Sequence, residues 1–256
     1  MTREVEELLK RIGDHPLFGE HPFHFVGGTA LSLHLDHRVS YDVDIASAKP
    51  LPVSAIRALA FSIGAKQIPD RNAAQFRINT GEDLERYYMR FMIGGVKLEF
   101  VHFRDELAQA MVAGAKSEPY AEGATLRLMA AKDIAALKTL ALFGRRKSRD
   151  LFDMAVALEN GLMSLEELER IYSFKQIGDI GLREYIESFH PDDDEGDASL
   201  DFLPRHRYYR TFAKLGQKKR FEKCKEIFLD QYDAAQERRL EEKMRAAGTG
   251  YRKRRR

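Results

Sequence analysis

The sequence predicts a mixed α/β (α+β) fold, a sheet-bearing core followed by a helical C-terminal domain. Three observations carry this. A short strand-like run, Phe23 to Val26, enters Gly27-Gly28 and then the apolar-rich Ala30 to Leu35, the order strand, turn, helix. Two further strand-like runs, Arg86 to Ile93 and Val96 to Phe103, are joined by Gly94-Gly95, a strong hairpin signal. Beyond Phe103 the pattern turns helical almost throughout. The expected organisation is a core over 1–115, a helical domain over 116–246 and a basic, disordered tail over 247–256.

The elements follow in order. Val5, Leu8, Leu9 and Ile12 form one stripe of a helix over 3–13. Thr29, directly after the glycines, can cap the next helix. Tyr41 to Ile45 alternates and reads as a strand, residues 53–63 as a helix ended near Gly64, and Gln75 to Asn79 as another strand. Ala124 to Met129 is a connector of ambiguous type. Asp133 to Phe143 reads as a helix led by Asp133, with a loop over 144–148 and a helix from Arg149 to Leu158 stopped by Asn160-Gly161. Ser164 with Glu167 forms a capping box. An acidic loop spans 191–197, and 205–246 reads as one long basic helix.

Composition narrows the class. A chain of 256 residues can bury a substantial core. Its single cysteine, Cys224, excludes an internal disulfide framework and fits a reducing cytosol. No signal peptide and no membrane-spanning run is expected, so a cytoplasmic location and no membrane partner follow. The formal net charge of +2 hides a split: residues 205–256 hold 18 Lys and Arg against 7 Asp and Glu, and the remainder 24 against 33. A basic tail on a mildly acidic body suggests a polyanionic partner, although a solvated charged helix has the same composition.

Asp42 and Asp44 stand two apart on a predicted strand, so both carboxylates point to one face. Like charges held side by side repel unless a cation lies between them, and a hard divalent ion such as Mg²⁺ accepts carboxylate and phosphate oxygens. Thr29 lies thirteen residues upstream of Asp42, directly behind Gly27-Gly28. Glycines let a phosphate approach the backbone, and a helix N-terminus offers unpaired N–H groups. A phosphate cradle beside a metal site is what phosphoryl or nucleotidyl transfer needs.

Gly27-Gly28-Thr29-Ala30-Leu31, a helix, and then Arg38-Val39-Ser40-Tyr41-Asp42-Val43-Asp44 resemble the signature of polymerase-β-like nucleotidyltransferases, and in particular of the AbiEii/AbiGii toxin branch. The resemblance covers residues 20–165. It implies a polymerase-β-like core, two Mg²⁺ ions on the carboxylates and an NTP triphosphate on the glycine turn. It also implies a third carboxylate on a neighbouring strand, for which Glu99 is the candidate, as metal ligand and base. An acidic residue in an otherwise apolar strand is costly unless paired or metal-bound; an edge strand with one face in water would explain Glu99 equally well.

A second cluster resembles the same family's downstream motifs. Lys138 matches a lysine that touches nucleotide phosphate, Lys147 and Arg149 match basic residues beside the site, and Asp150 and Asp153 match a pair of acids on one helix face, with Lys138 and Asp150 as the catalytic candidates of this cluster. A surface salt-bridge network is the plainer account of the same residues. The resemblance further implies transfer of a nucleoside monophosphate from an NTP to RNA, the tRNA 3′ end, by the toxin of a toxin–antitoxin pair with a cognate antitoxin. Two other readings share the fold: transfer to a small molecule or protein, and a catalytically silent nucleotide- or RNA-binding module. The histidines match no zinc-ligand spacing, and Tyr87-Tyr88 reads as packing.

Overall fold

A computed structural model describes residues 1–175, 179–194 and 200–246. The chain divides into two compact units, Met1–Leu137 with Ser199–Thr211, and Lys138–Ala198 with Phe212–Arg256. The first unit thus runs past residue 115 and takes back a later segment. The tail over 247–256 lies outside the described residues.

The first unit opens with α1 (Arg3–Ile12), whose buried stripe is Val5, Leu8, Leu9 and Ile12, and with α2 (Leu17–Glu20). Then come β1 (Phe23–Val26), α3 (Gly27–Leu35), β2 (Asp42–Ser47), α4 (Val53–Ser62), β3 (Lys66–Gln67) and α5 (Ala73–Thr80). The hairpin β4 (Tyr88–Ile93) and β5 (Val96–His102) is the predicted one. After it follow α6 (Glu106–Gly114), β6 (Ser117–Pro119), β7 (Arg127–Met129) and α7 (Ala131–Arg145), within which the units divide. The seven strands form one mixed sheet in the order β3-β4-β5-β2-β1-β7-β6. β2 runs parallel to β5 and antiparallel to β1, while β7 runs parallel to β1. Phe23, Phe25, Val43, Ile45, Leu98 and Phe100 are fully buried on these central strands, so the alternate residues of β2 and β5 form the sheet's half-exposed face.

The structure corrects two expectations here and resolves a third. Residues 75–79 are helical, not a strand. Asp70 opens the turn before α5 by accepting the Asn72 N–H at 2.8 Å, and Thr80 back-bonds to the Phe76 carbonyl at 2.8 Å. No residue of α5 is buried, so its alternation of apolar and polar residues recorded no sheet face. Thr29 is not a cap: α3 begins at Gly27 with extended Val26 before it, and Thr29 is fully buried. The ambiguous connector supplies β7.

The second unit is helical. α8 (Ser148–Glu159), α9 (Leu165–Phe174), α10 (Leu182–Glu187), α11 (Tyr209–Phe212) and α12 (Gln217–Ala246) follow α7, although α11 starts in the segment assigned to the first unit. The capping box at Ser164 and Glu167 is present. The predicted helix over 205–246 is broken, since α11 is one turn long and α12 starts only at Gln217. α12 packs against α8; its buried residues Phe221, Cys224, Ile227, Phe228, Tyr232 and Ala235 form one helical stripe, and of its basic residues Lys225 donates to the Phe189 carbonyl and Arg239 to Glu169. Part of the predicted acidic loop is a short 3₁₀ turn over Pro191–Asp194; residues 195–197 lie outside the described residues. Among the described residues, no helix is long and apolar enough to cross a membrane.

Candidate active site

The half-exposed face of β2 and β5 gathers the acidic residues. Asp44 stands opposite Glu99 in register, and Asp42 opposite Lys97. β5 lies between β4 and β2, so Glu99 occupies an interior strand and the edge-strand account of it fails. The Tyr88 hydroxyl donates to Glu99, and Glu99 also lies within hydrogen-bonding reach of Asp44. The Lys97 ammonium lies 3.2 Å from Asp42 Oδ2 and 3.1 Å from Glu99 Oε2. Burial works against the charge of Glu99, but Tyr88 and Lys97 outweigh it and hold its pKa below the ordinary carboxylate value. Burial likewise opposes the Lys97 charge, and Glu99 and Asp42 more than restore it.

The glycine turn sits against this face. Val26 pairs with Asp44, and Gly27 follows with φ +80. A Cβ on Gly27 would overlap the Asp44 carboxylate, and one on Gly28 would overlap the Arg38 guanidinium and approach Ser40 Oγ to 3.0 Å. Arg38 and Ser40 are buried, which explains their place in the Arg-Val-Ser-Tyr-Asp-Val-Asp run: they pack behind the turn. The Thr29 hydroxyl donates to the main-chain carbonyl of Asp42 and so ties α3 to β2. The first turn of α3 therefore ends beside the carboxylates, with its leading N–H groups lacking helical partners.

The oxygen donors of Asp42, Asp44 and Glu99 suit a hard divalent ion in type and facing. Among the described residues, however, no three His, Cys, Asp or Glu side chains are drawn together as a metal cage; the Lys97 ammonium lies against Asp42 and Glu99. The donor chemistry fits Mg²⁺, with a lysine as the cation already in place.

The other predicted site residues lie in the second unit, where they form a buried ion cluster. Lys138 is 6% exposed, and Asp150 and Asp153 are fully buried. Lys138 Nζ lies 3.2 Å from Asp150 and 2.9 Å from Asp153, and Arg145 grips Asp150 with two hydrogen bonds of 2.6 and 2.9 Å. This is a buried network and not the surface one that the residues alone suggested. Lys147 donates to the Asp193 carbonyl at 2.7 Å, and Arg149 is half-buried on α8. Asp133 leads no helix as a cap. It lies in the first turn of α7 and accepts the Lys116 N–H at 2.8 Å.

Comparison with known proteins settles the family. The family model for the nucleotidyl transferase AbiEii toxin of type IV toxin–antitoxin systems matches residues 8–247. The chain belongs to the AbiEii family. The match extends well beyond residues 20–165, so α12 is part of the AbiEii chain and not an appendage. An uncharacterised protein of Aquifex aeolicus is 24% identical over 175 residues, 68% of this chain and 75% of that one. Among solved structures, JHP933 from Helicobacter pylori is 16% identical, covers 94% of this chain and 97% of its own, and superposes with a TM-score of 0.48. MenT4, a nucleotidyltransferase toxin from Mycobacterium tuberculosis, is 17% identical, covers 95% and 89%, and gives 0.44.

In this AbiEii protein sequence reasoning missed Tyr88, Lys97 and Arg38 as members of the site. The signal for Lys97 was present, because it stands two residues before Glu99 and shares its face. Tyr88 carries no such signal, since its meeting with Glu99 depends on hairpin register. Gly27 supplies a direct test of the turn. Gly27→Ala is expected to cost about 1–2 kcal/mol of stability from the backbone alone and, by pushing Asp44 aside, to lower nucleotide transfer at least about tenfold. Gly64→Ala is the control, with φ +70 and nothing within 4 Å of its added Cβ; it should show the stability loss in a thermal melt and keep full activity.

Proposed function

We propose that the protein transfers a nucleoside monophosphate from an NTP to an acceptor hydroxyl at the 3′ end of tRNA, with pyrophosphate leaving. It would do so in the cytoplasm as the toxin of a pair restrained by a cognate antitoxin. The observation that supports this best is the carboxylate face of Asp42, Asp44 and Glu99 beside the first turn of α3. These three residues would hold Mg²⁺, two ions by resemblance to the family, which when bound neutralises phosphate charge and activates the acceptor oxygen.

Gly27, Gly28 and Thr29 would bind the triphosphate through main-chain N–H groups. Thr29 contributes no hydroxyl, because Asp42 already accepts it. Glu99 would hold the metal and, by resemblance, act as base; Tyr88 and Lys97 outweigh its burial and favour the ionised form that both roles need. By resemblance alone, Lys138 is the phosphate contact of the second cluster, with Lys147 and Arg149 as its basic neighbours and Asp150 and Asp153 as its acids. The excess of Lys and Arg beyond residue 205 supports a polyanionic acceptor.

The test is incubation of the purified protein with Mg²⁺, each labelled NTP in turn and total tRNA. Label on RNA, lost on chelation, is expected. Label on protein, or pyrophosphate release without labelled RNA, would move the acceptor elsewhere. RNA affinity should fall steeply with salt if the basic region grips it.

A further inference from the structure

Lys97 bridges two of the three carboxylates. The parallel register of β2 and β5 puts it opposite Asp42 while Glu99, two residues on, stands opposite Asp44. One ammonium therefore meets two of the three acids, at 3.2 and 3.1 Å. The other cation of this face, Arg90, stands opposite Glu99 on β4, but its guanidinium turns to Asp70 at 3.1 Å. A second cation cannot take the same oxygens while the ammonium keeps both contacts, because like charges a few ångströms apart repel strongly in a partly buried site.

We propose that Lys97 is a resident counter-ion of the carboxylate site, one that orders Asp42 and Glu99 before loading, must release at least one of them to a divalent ion, and thereby sets a low metal affinity. This rests on the metal reading given above. A lysine that merely braced the site would have the opposite effect on removal: the acids would splay and bind metal more weakly.

The experiment is a titration of the full chain with Mn²⁺, in the absence of nucleotide, with free ion followed by electron paramagnetic resonance. The proteins are wild type, Lys97→Met, Lys97→Gln, Lys97→Arg and Asp42→Asn. Lys97→Met is expected to bind Mn²⁺ about tenfold more tightly or better, Lys97→Gln to shift in the same direction should the Met variant fold poorly, and Lys97→Arg to stay near wild type. Unchanged or weaker binding in the Met and Gln variants, with binding still lost in Asp42→Asn, overturns the role of Lys97 and leaves the metal site standing. Mn²⁺ binding that Asp42→Asn leaves untouched overturns the metal site itself, and the inference with it.

Discussion

Asp44→Asn is expected to lower nucleotide transfer by about 10²–10³-fold or more, the scale on which removal of one preorganised charge contact is felt in a transition state. The substitution keeps size, removes the charge and turns one acceptor oxygen into an N–H donor. Asp44 is the stricter choice of the pair because its carboxylate fills the space that Gly27 leaves open and faces Glu99 across the strands. Asp42→Asn should be comparably inactive but differ in stability, since Asp42 is one of the two partners of Lys97. Rates of label transfer, measured beside thermal melts, check both. Full transfer by either variant would remove the carboxylates from the chemistry and leave the second cluster as the place to search.

How far the sequence revealed this site depends on whether a relation was local. Period two in a strand placed Asp42 with Asp44, and Lys97 with Glu99, without any knowledge of topology. The pairing of those two strands was not legible, because β2 and β5 are joined through a long crossover and their register is set by the buried alternation of Val43, Ile45, Leu98 and Phe100. The counter-ion therefore came from the fold, although each half of it was readable. The failures have the same origin. Phe76-Arg77-Ile78 alternates like a strand but is a surface helix, with Ile78 at 78% exposure, and no periodicity rule separates an exposed helix from a strand over so few residues. Thr29 looked like a cap because a hydroxyl after two glycines suits that role, yet its acceptor is a carbonyl thirteen residues away.

The second cluster carries the other large expected effect, on stability. Asp150→Asn should destabilise the second unit by about 3–5 kcal/mol, the cost of breaking a buried ion group by removing one partner, seen as a melting temperature lowered by roughly 10–20 °C. Asp150 is fully buried and holds both Lys138 and Arg145. Arg145 is 44% exposed and can turn to water, whereas Lys138, at 7%, is left with Asp153 alone. The loss should therefore fall mainly on Lys138. Lys138→Met combined with Asp150→Leu should cost less than the two single losses summed, because both substitutions remove the same Lys138–Asp150 contact, while the buried Asp153 still loses Lys138. The sign with pH is fixed as well. Burial opposes the charge of Asp150, but Lys138 and Arg145 outweigh it and lower its pKa in the folded state. Its contribution is then present above the ordinary carboxylate value of about 4 and is lost as pH falls through the lowered folded value. Wild type and Asp150→Asn should differ fully at neutral pH and converge in acid. Equal melting at pH 7 would show that the cluster does not hold the helices.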